Sequence, residues 1–252
     1  MAAALTTEGL VMRYGSLLVT DSVSLDIRPG ELHAIIGPNG AGKTTLINQL
    51  SGELSPMEGR VHFDGRDVTA HSIDRRARAG LLRSYQITSI FEEFSVLENA
   101  TLAALAVARS PWNFRDFWHP LLGDAAARTA AEEAIGLAGL TAGTHALAGE
   151  LAYGQRRQLE LAMALAAKPS LLLLDEPMAG MSAQESLAVT ALLKQLKGRY
   201  TIVLVEHDMD AVFSLADRIT VLVYGRVMFT GTPEEIRNHP EVRAVYLGEE
   251  AV

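Results

Sequence analysis

Two stretches near the N-terminus alternate apolar and polar residues with period two. Residues 5–30 contain Val23, Leu25 and Ile27 with polar neighbours, and residues 59–69 contain a similar short stretch beside a turn. This alternation is typical of strands that bury one face, and turns between such strands favour antiparallel pairing. The two stretches therefore predict an antiparallel β subdomain.

Three other runs are apolar almost throughout, and polar residues follow each of them. They are Leu32 to Ile36, Leu171 to Leu174 and Thr201 to Val205. Strands that are buried on both faces of a parallel sheet have this pattern. Ligands of such sheets bind at the carboxyl ends of the strands. The chain is therefore predicted to be an α/β protein whose functional residues follow these runs.

The sequence between the first and second apolar runs becomes rich in alanine. From about Glu98 to Ala167 it contains clusters such as Ala125 to Ala127, and alanine has the highest helix propensity. We interpret this stretch as a helical subdomain inserted into the α/β core. After Gly231 the short polar tail is predicted to form a helix that starts near Pro233. No further domain is expected after it.

The composition of the chain argues against several kinds of ligand and against a membrane-spanning segment. The 252 residues are 48% hydrophobic and 21% charged, which is an ordinary globular balance, and the net charge of -8 argues against nonspecific nucleic-acid binding. The basic residues Arg75, Arg76 and Arg78 are interpreted as a solvated helix face. The chain has no cysteine, so it forms neither disulfides nor thiolate metal sites. It shows neither a signal peptide nor an apolar run of ~20 residues, so any membrane role is expected to be at the surface.

A glycine-rich motif follows the first apolar run and precedes a helical pattern. Its glycines let backbone N–H groups converge on phosphate oxygens, Lys43 can reach the β and γ phosphates, and Thr44 offers a hydroxyl to magnesium. A turn alone would need neither Lys43 nor Thr44. The motif predicts a site for ATP and Mg²⁺ formed by Gly37, Pro38, Asn39, Gly40, Ala41, Gly42, Lys43, Thr44 and Thr45.

Two carboxylates follow the second apolar run. Asp175 is predicted to hold the magnesium shell, and Glu176 is predicted to orient the attacking water. A carboxylate pair after a strand is by itself more often a helix cap. Together with the glycine-rich phosphate-binding motif, the P-loop, the pair indicates ATP hydrolysis.

Four further motifs stand in a fixed order around these two. They are Tyr14 before Gly15, Gln86 in the sequence Arg83-Ser84-Tyr85-Gln86, the sequence Leu151-Ala152-Tyr153-Gly154-Gln155, and His207 after Glu206. Each has an ordinary structural explanation alone, but their joint order and spacing resemble the nucleotide-binding subunit of ATP-binding cassette (ABC) transporters over nearly the whole chain.

The resemblance implies a role for each motif. Tyr14 would stack on adenine, Gln86 would contact magnesium and report the nucleotide state to the membrane partner, and His207 would contact the γ-phosphate. The segment Ala152, Tyr153, Gly154 and Gln155 would be the family signature, which meets the γ-phosphate bound to a second cassette. The implied catalytic set is Lys43, Gln86, Glu176 and His207, and the implied metal set is Thr44, Gln86 and Asp175.

The resemblance also implies a fold and a division of the chain. The expected fold is a P-loop ATPase core with a mostly parallel sheet, an N-terminal antiparallel β subdomain and an inserted α-helical subdomain. A single ABC ATPase domain would span 1–252. Its core would be 1–87 and 168–230, its helical subdomain 88–167 and its C-terminal tail 231–252.

Two departures from the family pattern point to one branch. Ala152 replaces the usual signature serine, and Ser182 stands where a short loop usually ends in aspartate, which puts the cross-dimer contacts of that loop in doubt. Both are consistent with the ATPases of branched-chain amino acid importers. The sequences around Val96 to Asn99, Gly231 to Arg237 and Val245 to Gly248 are similar to the same branch.

The expected protein is therefore an importer ATPase at the cytoplasmic face of the inner membrane. Its partners would be transmembrane permease subunits, a second ABC ATPase subunit and, indirectly, a solute-binding protein, with no nucleic acid. A soluble iron-sulphur assembly ATPase and a lipid or lipopolysaccharide exporter ATPase are the alternatives. The aromatic segment with Trp112 and Trp118 either packs within the helical subdomain or faces the membrane partner.

Overall fold

The strands form two β-sheets in the computed structural model, which describes residues 5–84, 90–108 and 124–247. The first sheet is antiparallel and contains β1 (Leu5–Tyr14), β2 (Leu17–Ile27), β4 (Glu58–Phe63) and β5 (Arg66–Asp67). Its strand order is β2-β1-β4-β5. The sequence prediction of an N-terminal antiparallel subdomain is therefore confirmed.

The second sheet is mostly parallel and carries the three buried runs. Its members are β3 (Leu32–Ile36), β6 (Leu81–Ser84), β7 (Leu171–Asp175), β8 (Thr201–Val205), β9 (Arg218–Val223) and β10 (Arg226–Gly231). The order is β10-β9-β3-β8-β7-β6, and only the β9–β10 pair is antiparallel. All three predicted strands are confirmed, and β7 extends one residue further, to Asp175.

The helices cover both faces of this sheet. They are α1 (Lys43–Ser51), α2 (Ile73–Arg78), α3 (Val96–Ala108), α4 (Ala125–Leu137), α5 (Tyr153–Ala166), α6 (Ala183–Leu196), α7 (Met209–Leu215), α8 (Pro233–Asn238) and α9 (Pro240–Val242), and a π-helical turn, Arg243–Leu247, follows. Helices α3, α4 and α5 pack against one another and bury several alanines, among them Ala100, Ala131 and Ala162. The described helices thus confirm the helical insertion.

The hydrophobic core is divided into two clusters by the alternation of side chains along the strands. Leu171 and Leu173 face the cluster that contains α1 and the antiparallel sheet. Leu172 and Leu174 face the cluster that contains helices α3 to α7. Successive side chains of a strand point to opposite faces, so Asp175 lies on the same face as Leu173, toward α1. The strand period thereby aims this carboxylate at the P-loop helix.

The tail helix α8 begins where the sequence indicated. Pro233 is its first residue, and the Thr232 hydroxyl accepts from Glu235 N while the Glu235 carboxylate accepts from Thr232 N at 2.7 Å. This reciprocal capping explains the start of the helix.

The interpretation of Arg75, Arg76 and Arg78 as a solvated face is wrong for one of the three. Arg76 is fully buried, while Arg75 and Arg78 are exposed. The Arg76 guanidinium donates to the carbonyl oxygens of Gln49 and Leu50, each at 2.7 Å, and to two carbonyls before α2. Since the last carbonyls of a helix lack partners within it, Arg76 satisfies the C-terminus of α1. Composition alone could not show this partner.

Several predicted residues lie outside the described ranges. They are Gln86, Trp112 and Trp118. In the ranges that are described, no helix combines the length and apolar character that crossing a bilayer requires.

Candidate functional site

The candidate site forms where three neighbouring parallel strands end. β3 leads into the P-loop, β8 leads into Glu206 and His207, and β7 ends in Asp175 with Glu176 next. β8 lies between the other two in the sheet. Sheet order therefore brings together the phosphate-binding loop and the carboxylates predicted for metal and water.

The P-loop conformation depends on glycine at two of its positions. Gly42 has φ 99°, and a Cβ there would collide with the carbonyl oxygen of Val19. A Cβ at Gly37 would collide with the carbonyl oxygen of Leu222. Helix α1 begins directly after Gly42 and has neither a side-chain cap nor an acidic residue in its first turn. Its N-terminal N–H groups thus remain available to an anion.

Lys43 lies over this loop and is buried, with 6% of its surface exposed. Its ammonium donates to the carbonyl oxygens of Gly37 at 2.6 Å and Pro38 at 3.1 Å. Burial lowers the pKa of Lys43, and the nearby charges of Glu176 and Asp175 act in the opposite direction. The cation is therefore held within electrostatic range of both carboxylates.

Asp175 is buried at the end of β7 and forms an ion pair. Burial raises the pKa of its carboxyl group, and the charge of Arg83 opposes this shift. Arg83 Nη2 donates to Asp175 Oδ2 at 2.8 Å. Arg83 belongs to the edge strand β6, and sequence reasoning gave it no role. The only sign of this ion pair in the sequence is a single arginine at the end of a short, mostly apolar stretch.

Glu176 and His207 are in direct contact. His207 Nε2 lies 2.7 Å from Glu176 Oε1, and both side chains are partly exposed. Glu176 has φ 47°, a left-handed conformation that is uncommon for residues other than glycine. Its backbone N–H donates to Val205 O at 2.8 Å, which holds it beside the end of β8. The two residues that were predicted to act on water and γ-phosphate are thus adjacent.

Glu206 is a further residue of the site to which sequence reasoning gave no role. Only 4% of its surface is exposed. Its carboxylate accepts from Met178 N and from His207 N, each at 2.9 Å. It therefore links the loop after Glu176 to the backbone of His207.

The residues present fit a magnesium–nucleotide complex. Asp175 supplies a buried carboxylate, and Thr44 lies at the exposed start of α1. In the described ranges no three His, Cys, Asp or Glu side chains cluster as a complete protein metal site. Magnesium held by few protein ligands is usual where phosphates and waters complete the shell.

The remaining P-loop residues and Tyr14 border the same region. Asn39, Gly40 and Thr44 are exposed, while Pro38 and Thr45 are half-buried. Tyr14 ends β1, pairs with Leu17 of the β1–β2 hairpin, and is 54% exposed. Val19 of the same hairpin lies against Gly42, so the hairpin borders the P-loop.

The segment matching the signature forms the start of α5. Ala152 occupies the N-cap position and offers no side-chain acceptor, and its N–H donates to Gln155 Oε1 at 3.1 Å. The Gly154 N–H donates to the carboxylate of Glu185 in α6. The Tyr153 hydroxyl donates to Ala179 O at 3.1 Å. The start of α5 is thus bound to the loop that follows Glu176.

Ser182 is the N-cap of α6. Its hydroxyl accepts from Glu185 N, and the Glu185 carboxylate accepts from Ser182 N at 2.9 Å. Hydrogen bonds from the Ser182 backbone and side chain and from Gly154 N lower the pKa of Glu185. The serine at this departure from the family pattern therefore begins a helix and holds the carboxylate that meets the signature segment.

Comparison with known proteins gives matches along the whole chain. The family described as ABC transporter matches residues 20–179, and the family described as branched-chain amino acid ATP-binding cassette transporter matches residues 226–252. The high-affinity branched-chain amino acid transport ATP-binding protein LivG of Salmonella typhimurium is 39% identical, over 97% of this chain and 98% of that protein. The corresponding protein BraF of Pseudomonas aeruginosa is 37% identical over the same shares.

Solved structures agree with the sequence matches. The ADP conformation of MJ1267, described as an ATP-binding cassette of an ABC transporter, superposes with a TM-score of 0.85 at 29% identity. That comparison covers 98% of this chain and all of the other. A nucleotide-free ATP-binding cassette from an ABC transporter gives a TM-score of 0.84 at 30% identity, covering 97% and 98% of the two chains.

Proposed function

The chain belongs to the ABC transporter family of ATP-binding proteins, and from this premise we propose that it powers an importer of branched-chain or related amino acids. The observation that carries the choice of substrate class is the match of residues 226–252 to the branched-chain family. The names of LivG and BraF support the same class. The members of this family are ATPases coupled to transport, so hydrolysis is the chain's reaction.

The site residues divide the reaction among them. Lys43 and the N–H groups of the P-loop bind the β and γ phosphates, and Thr44, Asp175 and Gln86 hold magnesium. Magnesium bound there would neutralise negative charge that develops on the phosphates. Tyr14 stacks on adenine. The nucleotide is thereby fixed with its γ-phosphate facing the ends of β7 and β8.

Glu176 and His207 act on the attacking water. The Glu176 carboxylate accepts a hydrogen bond from the water and aligns it with the γ-phosphorus. The 2.7 Å contact with His207 Nε2 holds that carboxylate in place. In this proposal the His207 ring contacts the γ-phosphate. As the new P–O bond forms, the bond to the β-phosphate oxygen breaks, and ADP and phosphate are the products.

A second cassette completes each site in this proposal. The start of α5, with Ala152, Tyr153, Gly154 and Gln155, meets the γ-phosphate held by the partner, and two ATP molecules are sandwiched between the subunits. Residues 1–87 and 168–230 form the ATPase core, 88–167 the helical subdomain, and 231–252 the tail. Permease subunits bind this pair at the cytoplasmic face of the inner membrane and connect it to a solute-binding protein.

Co-purification from native membranes tests the proposal. A tagged chain, extracted in mild detergent, should retain permease subunits and a second ABC ATPase, and leucine-loaded binding protein should stimulate ATP hydrolysis. An untagged strain and the Glu176→Gln protein are the controls for binding and turnover. Recovery with an iron-sulphur scaffold or with lipid-export subunits would contradict the assignment.

A further inference from the structure

Arg83 has an unusual position for a charged side chain in this fold. It lies on the edge strand β6, on the face shared with Leu81 and α1, and only 8% of its side chain is exposed. Residues 85–89 follow β6 directly, so the strand connects to the predicted glutamine loop. A guanidinium that is buried in this way needs hydrogen-bond partners for its N–H groups.

Its two terminal nitrogens bind different parts of the molecule. Nη2 donates to Asp175 Oδ2 at 2.8 Å, at the end of β7. Nη1 donates to Asn48 Oδ1 at 2.6 Å, in α1, and to the Glu53 carboxylate in the loop after α1. The guanidinium thus bridges the metal-binding carboxylate and the helix that carries the P-loop lysine.

The chemistry of arginine suits this bridge. A guanidinium is planar and rigid, and it presents donors in fixed, divergent directions, whereas a lysine ammonium is a point charge on a flexible stem. Arg83 Nη2 holds Oδ2 of Asp175. An oriented carboxylate can therefore turn one oxygen toward a cation while the other is held.

We propose that Arg83 is a positioning residue that fixes the Asp175 carboxylate relative to α1, so that Asp175 and the phosphates on the P-loop bind one magnesium ion together. The inference rests on the proposed function, because it assumes that Asp175 contributes to the magnesium shell. Partners that orient metal ligands commonly change metal affinity when they are removed.

The sign of the effect separates positioning from simple charge. Removal of a positive side chain close to a metal site strengthens the binding of a divalent cation, because it removes a Coulomb repulsion. Loss of an orienting partner weakens it. A neutral residue at position 83 therefore changes magnesium binding in opposite directions under the two explanations.

The measurement is the dissociation constant of ATP with excess Mg²⁺ and with EDTA, in full-length protein carrying Glu176→Gln to prevent turnover. The ratio of the constant measured in EDTA to the constant measured with Mg²⁺ reports the coupling between magnesium and nucleotide, and a larger ratio means stronger coupling. Arg83→Gln and Arg83→Lys should each lower this ratio about 10-fold while ATP binding in EDTA is retained. Arg78→Gln, which alters an exposed arginine of the nearby helix α2, should leave it unchanged.

Two further variants test the route of the effect. In an Asp175→Asn background, Arg83→Gln should no longer change the ratio, because the carboxylate it positions is absent. The double variant Asn48→Ala/Glu53→Gln does not touch Asp175 and should lower the ratio in the same direction. Thermal melting would show whether the variants of the buried Arg83 still fold. If they do not, the double variant alone tests whether Arg83 positions Asp175.

Other results would overturn the inference. A ratio that is unchanged or raised in Arg83→Lys and in Asn48→Ala/Glu53→Gln would exclude positioning, as would equal weakening with Mg²⁺ and with EDTA. A parent chain without magnesium-dependent ATP binding would instead overturn the proposed function, and this inference with it.

Discussion

At the residue scale, the central contact is the pair formed by Glu176 and His207. Glu176 adopts a left-handed backbone conformation, which costs free energy for a residue with a Cβ and persists only where the surroundings enforce it. Two features hold this conformation. The N–H of Glu176 donates to Val205 O, and the Glu206 carboxylate accepts from the backbone N–H groups of Met178 and His207. This backbone strain is consistent with a Glu176 carboxylate that has to be held in one direction, against His207.

Glu176→Gln tests this residue directly. The amide keeps the shape of the side chain but is a poorer acceptor for the proton of the attacking water, so turnover should fall by about 10² to 10⁴-fold. ATP affinity should be unchanged because the P-loop is untouched. A phosphate-release assay and a nucleotide titration measure the two quantities. Turnover near the parent rate would show that Glu176 does not act on the water.

The residues that the sequence predicted are those whose chemistry can be recognised from a local motif. Asp175, Glu176 and His207 lie at or just after strand ends, and Lys43 begins the helix after β3. Sheet order brings these places together. The roles of Arg76, Arg83 and Glu206 depend on partners far away along the chain. Sequence spacing does not contain that information, so a buried guanidinium and an exposed one look alike before the fold is known.

At the element scale, the apolar runs predicted three of the four inner strands, β3, β7 and β8, because burial on both faces leaves a continuous apolar pattern. The fourth, β9, is also buried but was not predicted. The edge strands were harder to predict. β6 has only four residues and is partly exposed after Leu81, and β10 is half-buried along most of its length. Short, partly exposed strands show neither a continuous apolar run nor a clean alternation.

The buried Arg76 should be important for the attachment of α2 to the P-loop helix. Burial lowers its pKa to about 10, which leaves the guanidinium charged at neutral pH. Arg76→Leu would leave several buried carbonyls without a donor, so the free energy of unfolding should fall by at least about 2 kcal/mol. Urea unfolding measures this change.

Arg75→Leu is the matched control, because Arg75 is exposed on the same helix. An exposed substitution there should change stability by no more than about 0.5 kcal/mol. Equal stabilities of the two variants would show that the cap on α1 has little energetic weight.

The contact between α5 and α6 leads to a prediction about Gly154. A Cβ at this position would collide with the Glu185 carboxylate, and an aspartate would add a second negative charge there. In the proposed pair the start of α5 meets the γ-phosphate that the partner binds, so this displacement and charge should abolish ATP-dependent pairing of two cassettes. Each monomer should still bind ATP through its own P-loop. Sedimentation of the Glu176→Gln protein with ATP measures the pairing.

Gly136→Asp provides the control for this variant. Gly136 also lies in a helix, and a Cβ there would meet nothing within 4 Å. It should pair normally. Loss of ATP binding by monomeric Gly154→Asp, or normal pairing by it, would contradict the role given to the start of α5.

At the scale of the whole molecule, the family assignment connects the site to transport. The ABC transporter match includes the P-loop, the paired carboxylates and the segment at the start of α5, and the final 27 residues match the branched-chain family. Tail and site are distant in sequence, and both point to an ATPase coupled to transport.

Uptake of leucine by cells tests the central claim most directly. In the source organism, deletion of the gene should abolish high-affinity uptake of radiolabelled leucine or a related branched-chain amino acid. The parent chain should restore it, and an equally expressed Glu176→Gln chain should not. Unchanged uptake after deletion, or full restoration by Glu176→Gln, would contradict the account of this chain as the ATPase of a branched-chain amino acid importer.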